Sequence, residues 1–181
     1  MQKKELRLGE NRSGTMLILG VDPGTAITGY GLVEKQGQRL AAHTYGVIRT
    51  PARRPLSERL KQIYDQITAL IEEHRPDALV VEELFFNKNT RTALAVGQAR
   101  GVILLAAANQ GLTIAEYTPL QVKMAVVGYG RAEKRQVQEM VRILLRLKNT
   151  PKPDDAADAL AIAICYAHSW RRTGLLMGGE G

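Results

Sequence analysis

Six acidic residues stand where carboxylates can act together on a cation. Asp22 closes the apolar run 17–21, and Glu82 and Glu83 close a second, 78–81. At the end of a buried strand a carboxylate is partly desolvated, which is costly unless something neutralises it. Asp154, Asp155 and Asp158 fall in Pro151-Lys152-Pro153-Asp154-Asp155-Ala156-Ala157-Asp158, which opens a helical pattern. Their spacing puts Asp155 and Asp158 on one helix face, and the intervening alanines leave room around them. With no Cys/His ligand spacing anywhere, an oxygen-only set favours Mg²⁺ or Mn²⁺ over zinc. Two such ions about 4 Å apart suit phosphodiester hydrolysis.

Simpler roles compete. An Asp before Pro-Gly is often a turn residue, and an Asp at a helix start is often a cap. Asp158 resists that account, because it lies one turn inside the helix and precedes the apolar run 160–164. Glu82 and Glu83 are neighbours in a strand and point to opposite faces, so only one can join a given cluster. Alternation alone does not choose between them.

These acids need a scaffold. Two further strands, 28–34 and 39–49, follow the first around the turn 35–38, as in an antiparallel meander. From Pro55 apolar residues recur every three or four positions to His74, the pattern of an amphipathic helix. A helix crossover makes the strand at 78–81 parallel to the first, so that Asp22 and Glu82 end on the same side. Residues 90–109 read as a helix buried over most of its surface, 113–116 as a short strand, and 132–147 and 155–170 as helices. The class is α/β, with a mixed five-stranded sheet and helices on both faces. Residues 1–15 are polar and aperiodic, and the stretch from Arg171 is glycine-rich. Both are expected to be flexible tails around one domain at 16–170.

Composition narrows the function. The 181 residues carry 25 Lys plus Arg against 18 Asp plus Glu, a net +7 that suits a polyanionic partner. Seven basic residues against two acidic ones fall within 121–150. Some of them, Lys134, Arg135, Arg142 and Arg146, equally suit a solvated helix face. The single Cys165 excludes an intramolecular disulfide framework and a multi-cysteine metal site, and fits a reducing, cytoplasmic setting. No Gly-x-Ser-x-Gly elbow or Gly-x-x-x-x-Gly-Lys-Ser/Thr loop is present. The only two phenylalanines, Phe85 and Phe86, follow the second acidic strand end. Either can anchor a loop, or stack on or wedge between bases.

Taken in order, Ile18-Leu19-Gly20-Val21-Asp22-Pro23-Gly24-Thr25, Thr28-Gly29-Tyr30-Gly31, Val81-Glu82-Glu83-Leu84-Phe85, Gly97-Gln98-Ala99-Arg100-Gly101, Gln121-Val122-Lys123 and Asp155-Ala156-Ala157-Asp158-Ala159-Leu160-Ala161 resemble the RuvC family of Holliday junction resolvases. The resemblance implies a ribonuclease-H-like fold and a homodimer. It implies paired symmetric nicks in four-way DNA junctions during recombination and repair, with 5′-phosphate and 3′-hydroxyl products. It assigns Asp22, Glu82, Asp155 and Asp158 as catalytic ligands of Mg²⁺, with Mn²⁺ as a substitute and two ions per site. It also places Lys123, Lys134 and Phe85 against DNA, with Arg135 beside them in the basic segment, and implies work alongside the RuvA–RuvB branch-migration complex. Two alternatives stay open: a ribonuclease-H-like nuclease acting on RNA or other branched nucleic acid, and a non-catalytic junction-binding protein.

Overall fold

The computed structural model describes residues 14–83 and 90–176. Three strands come first: β1 (Thr15–Asp22), β2 (Ile27–Gln36) and β3 (Arg39–Arg49). Helix α1 (Leu56–His74) crosses over to β4 (Ala78–Glu82), and α2 (Thr90–Asn109) crosses over to β5 (Thr113–Tyr117). Three helices complete the chain: α3 (Pro119–Val127), α4 (Lys134–Leu144) and α5 (Asp154–Leu176). The sheet order is β3-β2-β1-β4-β5, with β1 antiparallel to β2 and parallel to β4. It is the mixed, two-faced sheet expected from the strand and helix pattern.

Period-two alternation divides the interior into two cores. Leu17, Leu19 and Val21 of β1 join Leu32, Leu79 and Val81 against Ile63, Ile67 and Ile71 of α1 and Ala99 and Ile103 of α2. Ile18, Val33 and Val80 point the other way, into a core made with α3, α4 and α5. Each fully buried Leu, Ile or Val side chain contributes about 1.5–3 kcal/mol to folding. Both cores therefore hold the sheet between them.

Helix α3 lies where periodicity showed nothing. It is short, and only Val122 and Val126 are buried in it. Its start is nevertheless written in the sequence. The Thr118 hydroxyl accepts from the Gln121 N–H at 3.1 Å, and the Gln121 side chain accepts from the Thr118 N–H at 2.8 Å, with proline next to the cap. This is a capping box, readable as Thr-Pro-x-Gln. At the other end, Gly128 adopts φ 93°, a left-handed conformation that glycine accepts at little cost. Helix α4 starts later than periodicity suggests, because Glu133 serves as its cap with Gln136 reaching back to it. Helix α5 runs past Trp170 to Leu176, with no proline to stop it.

Candidate active site

Facing direction decides which strand-end acid belongs to the site. On β1, Ile18, Gly20 and Asp22 share one face, and on β4, Val80 and Glu82 share one. Ile18 and Val80 both lie in the core beneath α5. Because Val21 pairs with Val81, Asp22 and Glu82 come next on adjacent parallel strands, both turned towards α5. Glu83 has the opposite parity.

The other acids arrive on α5, which lies unusually close to the sheet. Gly20 pairs with Gly31 and Asp22 with Gly29, so three glycines on β1 and β2 leave a strip without side chains beneath the helix. A Cβ on Gly29 would come within 2.0 Å of the Asp155 carbonyl oxygen, and one on Gly20 within 2.1 Å of that of Ala159. A Cβ on Gly31 would meet the Leu160 side chain at 2.7 Å. Backbone approach on this scale is possible only where the Cβ is missing. The strip brings the start of α5, with Asp155 and Asp158, against the end of β1.

A cleft of about 210 Å³ opens there, lined by Asp22, Glu82 and Asp158, by Lys123 and Lys134, and by Pro119, Val122 and Val137. Burial, followed by the charges of Asp158, Glu82 and Asp155, pushes the Asp22 carboxyl up to about 7. The Glu82 carboxyl is raised by burial and by Asp158, against the pull of Lys123. Asp158 is raised by burial, while its hydrogen bond from Lys134 pulls it down. A pocket whose acids hinder one another's ionisation is one that a cation would relieve, and the all-oxygen donor set suits a hard divalent ion. As the side chains stand, no three Asp, Glu, His or Cys residues among the described ones are grouped to hold an ion. Asp158 is turned to Lys134 instead, 2.9 Å away.

The remaining expected residues separate. Asp155 acts on Asp22 electrostatically and does not line the cleft. Lys123 reaches the cleft from α3 and Lys134 from the first turn of α4. Arg135, next along α4, lines a different depression with Val127, Gln136, Glu139, Met140 and Thr150. Arg142 is held by Glu139 at 2.6 Å, which removes much of its charge from the basic segment. Phe85 and Phe86 lie outside the described residues. Pro119 and Val122 wall the cleft from α3, which periodicity does not reveal and which the Thr118–Gln121 capping box does.

A family model described as crossover junction endodeoxyribonuclease RuvC matches residues 18–166. The chain belongs to the RuvC family. The RuvC of Desulfitobacterium hafniense is 66% identical over 154 residues, covering 85% of this chain and 93% of its own. That of Heliobacterium modesticaldum is 65% identical, with 85% and 95% covered. Among solved structures, Thermus thermophilus RuvC matches with a TM-score of 0.81 at 37% identity, covering 87% of this chain and 97% of that one. T. thermophilus RuvC in complex with a Holliday junction matches at 0.80 and 35%, covering 87% and 96%. The yeast mitochondrial Holliday junction resolvase, at 15% identity and a TM-score of 0.62, shares the fold.

Proposed function

We propose that this chain resolves four-way DNA junctions in recombination and repair by one metal-dependent nick in each of two opposing strands, leaving 5′-phosphate and 3′-hydroxyl ends. The observation that carries this reading is the single cleft in which Asp22, Glu82 and Asp158 meet Lys123 and Lys134. Asp22, Glu82, Asp155 and Asp158 would hold two Mg²⁺ ions, for which Mn²⁺ substitutes. When bound, the ions supply an activated water and neutralise the charge that builds up at the phosphorus.

The rest is the work of this chain's own residues. Asp22 and Glu82 sit at the ends of paired central strands, which fixes their separation and direction. Asp158 and Asp155 ride on α5 and complete the donor set from above. Lys123 faces the cleft near Glu82 and offers a positive charge to a phosphate lying there. Phosphate contacts of this kind position the strand without reading its sequence, so selectivity rests on the shape of the branched DNA.

A junction has approximate two-fold symmetry, and one cleft makes one cut, so two coordinated cuts call for an isologous dimer. Helix α2 supports this. Its exposed residues Leu94, Gln98, Gly101, Leu105 and Ala108 recur at alternating intervals of four and three along one face. Leu94 and Leu105 are 64% and 52% exposed, and Gly101 permits close approach of a second helix. Leu105→Glu is expected to weaken the dimer by at least about 3 kcal/mol, more than 100-fold in its dissociation constant. Light scattering that still finds a dimer at micromolar concentration would remove α2 from the interface.

Protonation makes a further prediction. Asp22 must give up its proton to serve as a ligand, and that proton is held up to about 7. At limiting Mg²⁺, nicking should therefore rise up to tenfold per pH unit below about 7 and level off above it. A flat profile across that range would count against Asp22 as a ligand.

Membership of the RuvC family supports a cytoplasmic role for the chain, alongside the RuvA–RuvB branch-migration complex. The deciding experiment compares a four-way junction, a linear duplex and an RNA–DNA hybrid under Mg²⁺. Symmetric nicks confined to the junction support the proposal, and preferential cutting of the hybrid would replace it with a ribonuclease. Tight junction binding with no nick under either ion would leave a binding protein.

A further inference from the structure

Lys134 has an arrangement that junction binding alone does not explain. Its ammonium lies 2.9 Å from Asp158 and 3.8 Å from Asp154, and it lines the cleft that holds Asp22 and Glu82. Asp154 in turn is paired with Lys152 at 3.4 Å. The lysine side chain is half-exposed, so it is not locked in place by packing. Lys123 lines the same cleft, and no ion pair between it and Asp158 is present among the described residues. A cation among crowded carboxylates relieves their repulsion, as a divalent ion would.

We infer that Lys134 is the site's internal counter-ion, occupying Asp158 until a divalent ion displaces it and frees the ammonium for the DNA phosphate. This rests on the four-carboxylate reading and gives one of its lysines a second state. Asp154 keeps the displaced ammonium near the cleft mouth, because its carboxylate stands outside the donor set and its second oxygen faces Lys134 while the first holds Lys152. Metal loading and DNA grip are then linked: the ion that completes the site also releases a phosphate contact. By reciprocity, DNA that captures the ammonium must raise the affinity for the ion by the same factor.

The test uses the full-length protein without DNA. Calorimetric titration with Mn²⁺ is compared for the wild type, Lys134→Gln and Lys134→Arg. Removing the competing charge should tighten Mn²⁺ binding at least about fivefold in Lys134→Gln, while Lys134→Arg stays near the wild type. In EDTA, Lys134→Gln should melt below the wild type, and saturating Mn²⁺ should raise its melting temperature by the larger increment. A second measurement titrates junction DNA in EDTA and then in Ca²⁺. The salt dependence of wild-type binding should steepen with Ca²⁺ by about one phosphate contact, and that of Lys134→Gln should not. Unchanged or weaker Mn²⁺ binding in Lys134→Gln, with normal binding by the wild type, overturns the exchange and leaves the metal site standing. If the wild type itself binds no Mn²⁺, the site fails and the exchange fails with it.

Discussion

Gly29→Ala is expected to cost the fold at least about 3 kcal/mol, the upper end of ordinary overpacking. The added methyl has no flexible neighbour to displace: it meets the Asp155 carbonyl oxygen at 2.0 Å and the carbonyl carbon at 2.5 Å. Only movement of the whole helix can relieve the clash, and that movement carries Asp155 and Asp158 away from Asp22. For a chain of this size the loss corresponds to roughly 6–12 °C in melting temperature. Nicking should fall by more than tenfold even where the variant is folded. Gly20→Ala should behave similarly, because the Ala159 carbonyl and the Ala163 backbone nitrogen lie within 2.9 Å of the added carbon. Gly31→Ala should be milder, since the Leu160 side chain can rotate away in part. Thermal melts that rank Gly31→Ala as the worst of the three would mean that α5 does not rest on this strip.

Asp22→Asn is expected to abolish nicking, by at least about 10³-fold, while leaving junction affinity within a few-fold of the wild type. The first figure reflects roughly 4 kcal/mol of lost charge stabilisation at the reacting phosphate. The second follows because DNA affinity comes mainly from lysine and arginine contacts with phosphates. The same substitution should stabilise the metal-free protein. The Asp22 carboxyl has its folded value raised from 3.8 to about 7, so the folded state holds a proton that the unfolded chain releases. Stability linked to that proton is fully present below about 3.8 and is lost as pH rises through about 7. At pH 8 in EDTA, Asp22→Asn should therefore exceed the wild type by on the order of 4 kcal/mol. The gap should close towards pH 4 and shrink when Mg²⁺ is added to the wild type. Equal melting temperatures at pH 8 in EDTA would show that Asp22 is neither desolvated by burial nor crowded by other carboxylates. Measurable nicking by the variant would remove it from the reaction.

What could be read without coordinates follows the range of the interactions involved. Asp22 and Glu82 were visible because a bare apolar run that ends in an acid is a local signal, and the crossover rule then aligned the two strands. The choice between Glu82 and Glu83 was not visible, because it depends on which face of β4 meets α5. Alternation gives opposite faces without saying which is which. Asp155 and Asp158 stood out through helical spacing and the alanines between them. The glycines at 20, 29 and 31 looked like ordinary strand residues, since their purpose lies in a helix more than 120 residues later. The Lys134–Asp158 pair was hidden for the same reason, as it joins the first turn of α4 to the second turn of α5. Helix α3 is the exception: its capping box is a local signal, but with only Val122 and Val126 buried it carries too little periodicity to stand out.

The sheet keeps α2 and the residues beneath it in a different core from the one that supports α5. If the proposed α2 interface holds the dimer together, partner choice and chemistry can therefore be altered independently. Complementary charges engineered at Leu105 on two versions of the chain would enforce pairing between unlike subunits. One of the pair could carry an inactivated cleft. Such a mixed molecule would incise a single arm of the junction, and the fate of the uncut arm would reveal whether the first incision hastens the second.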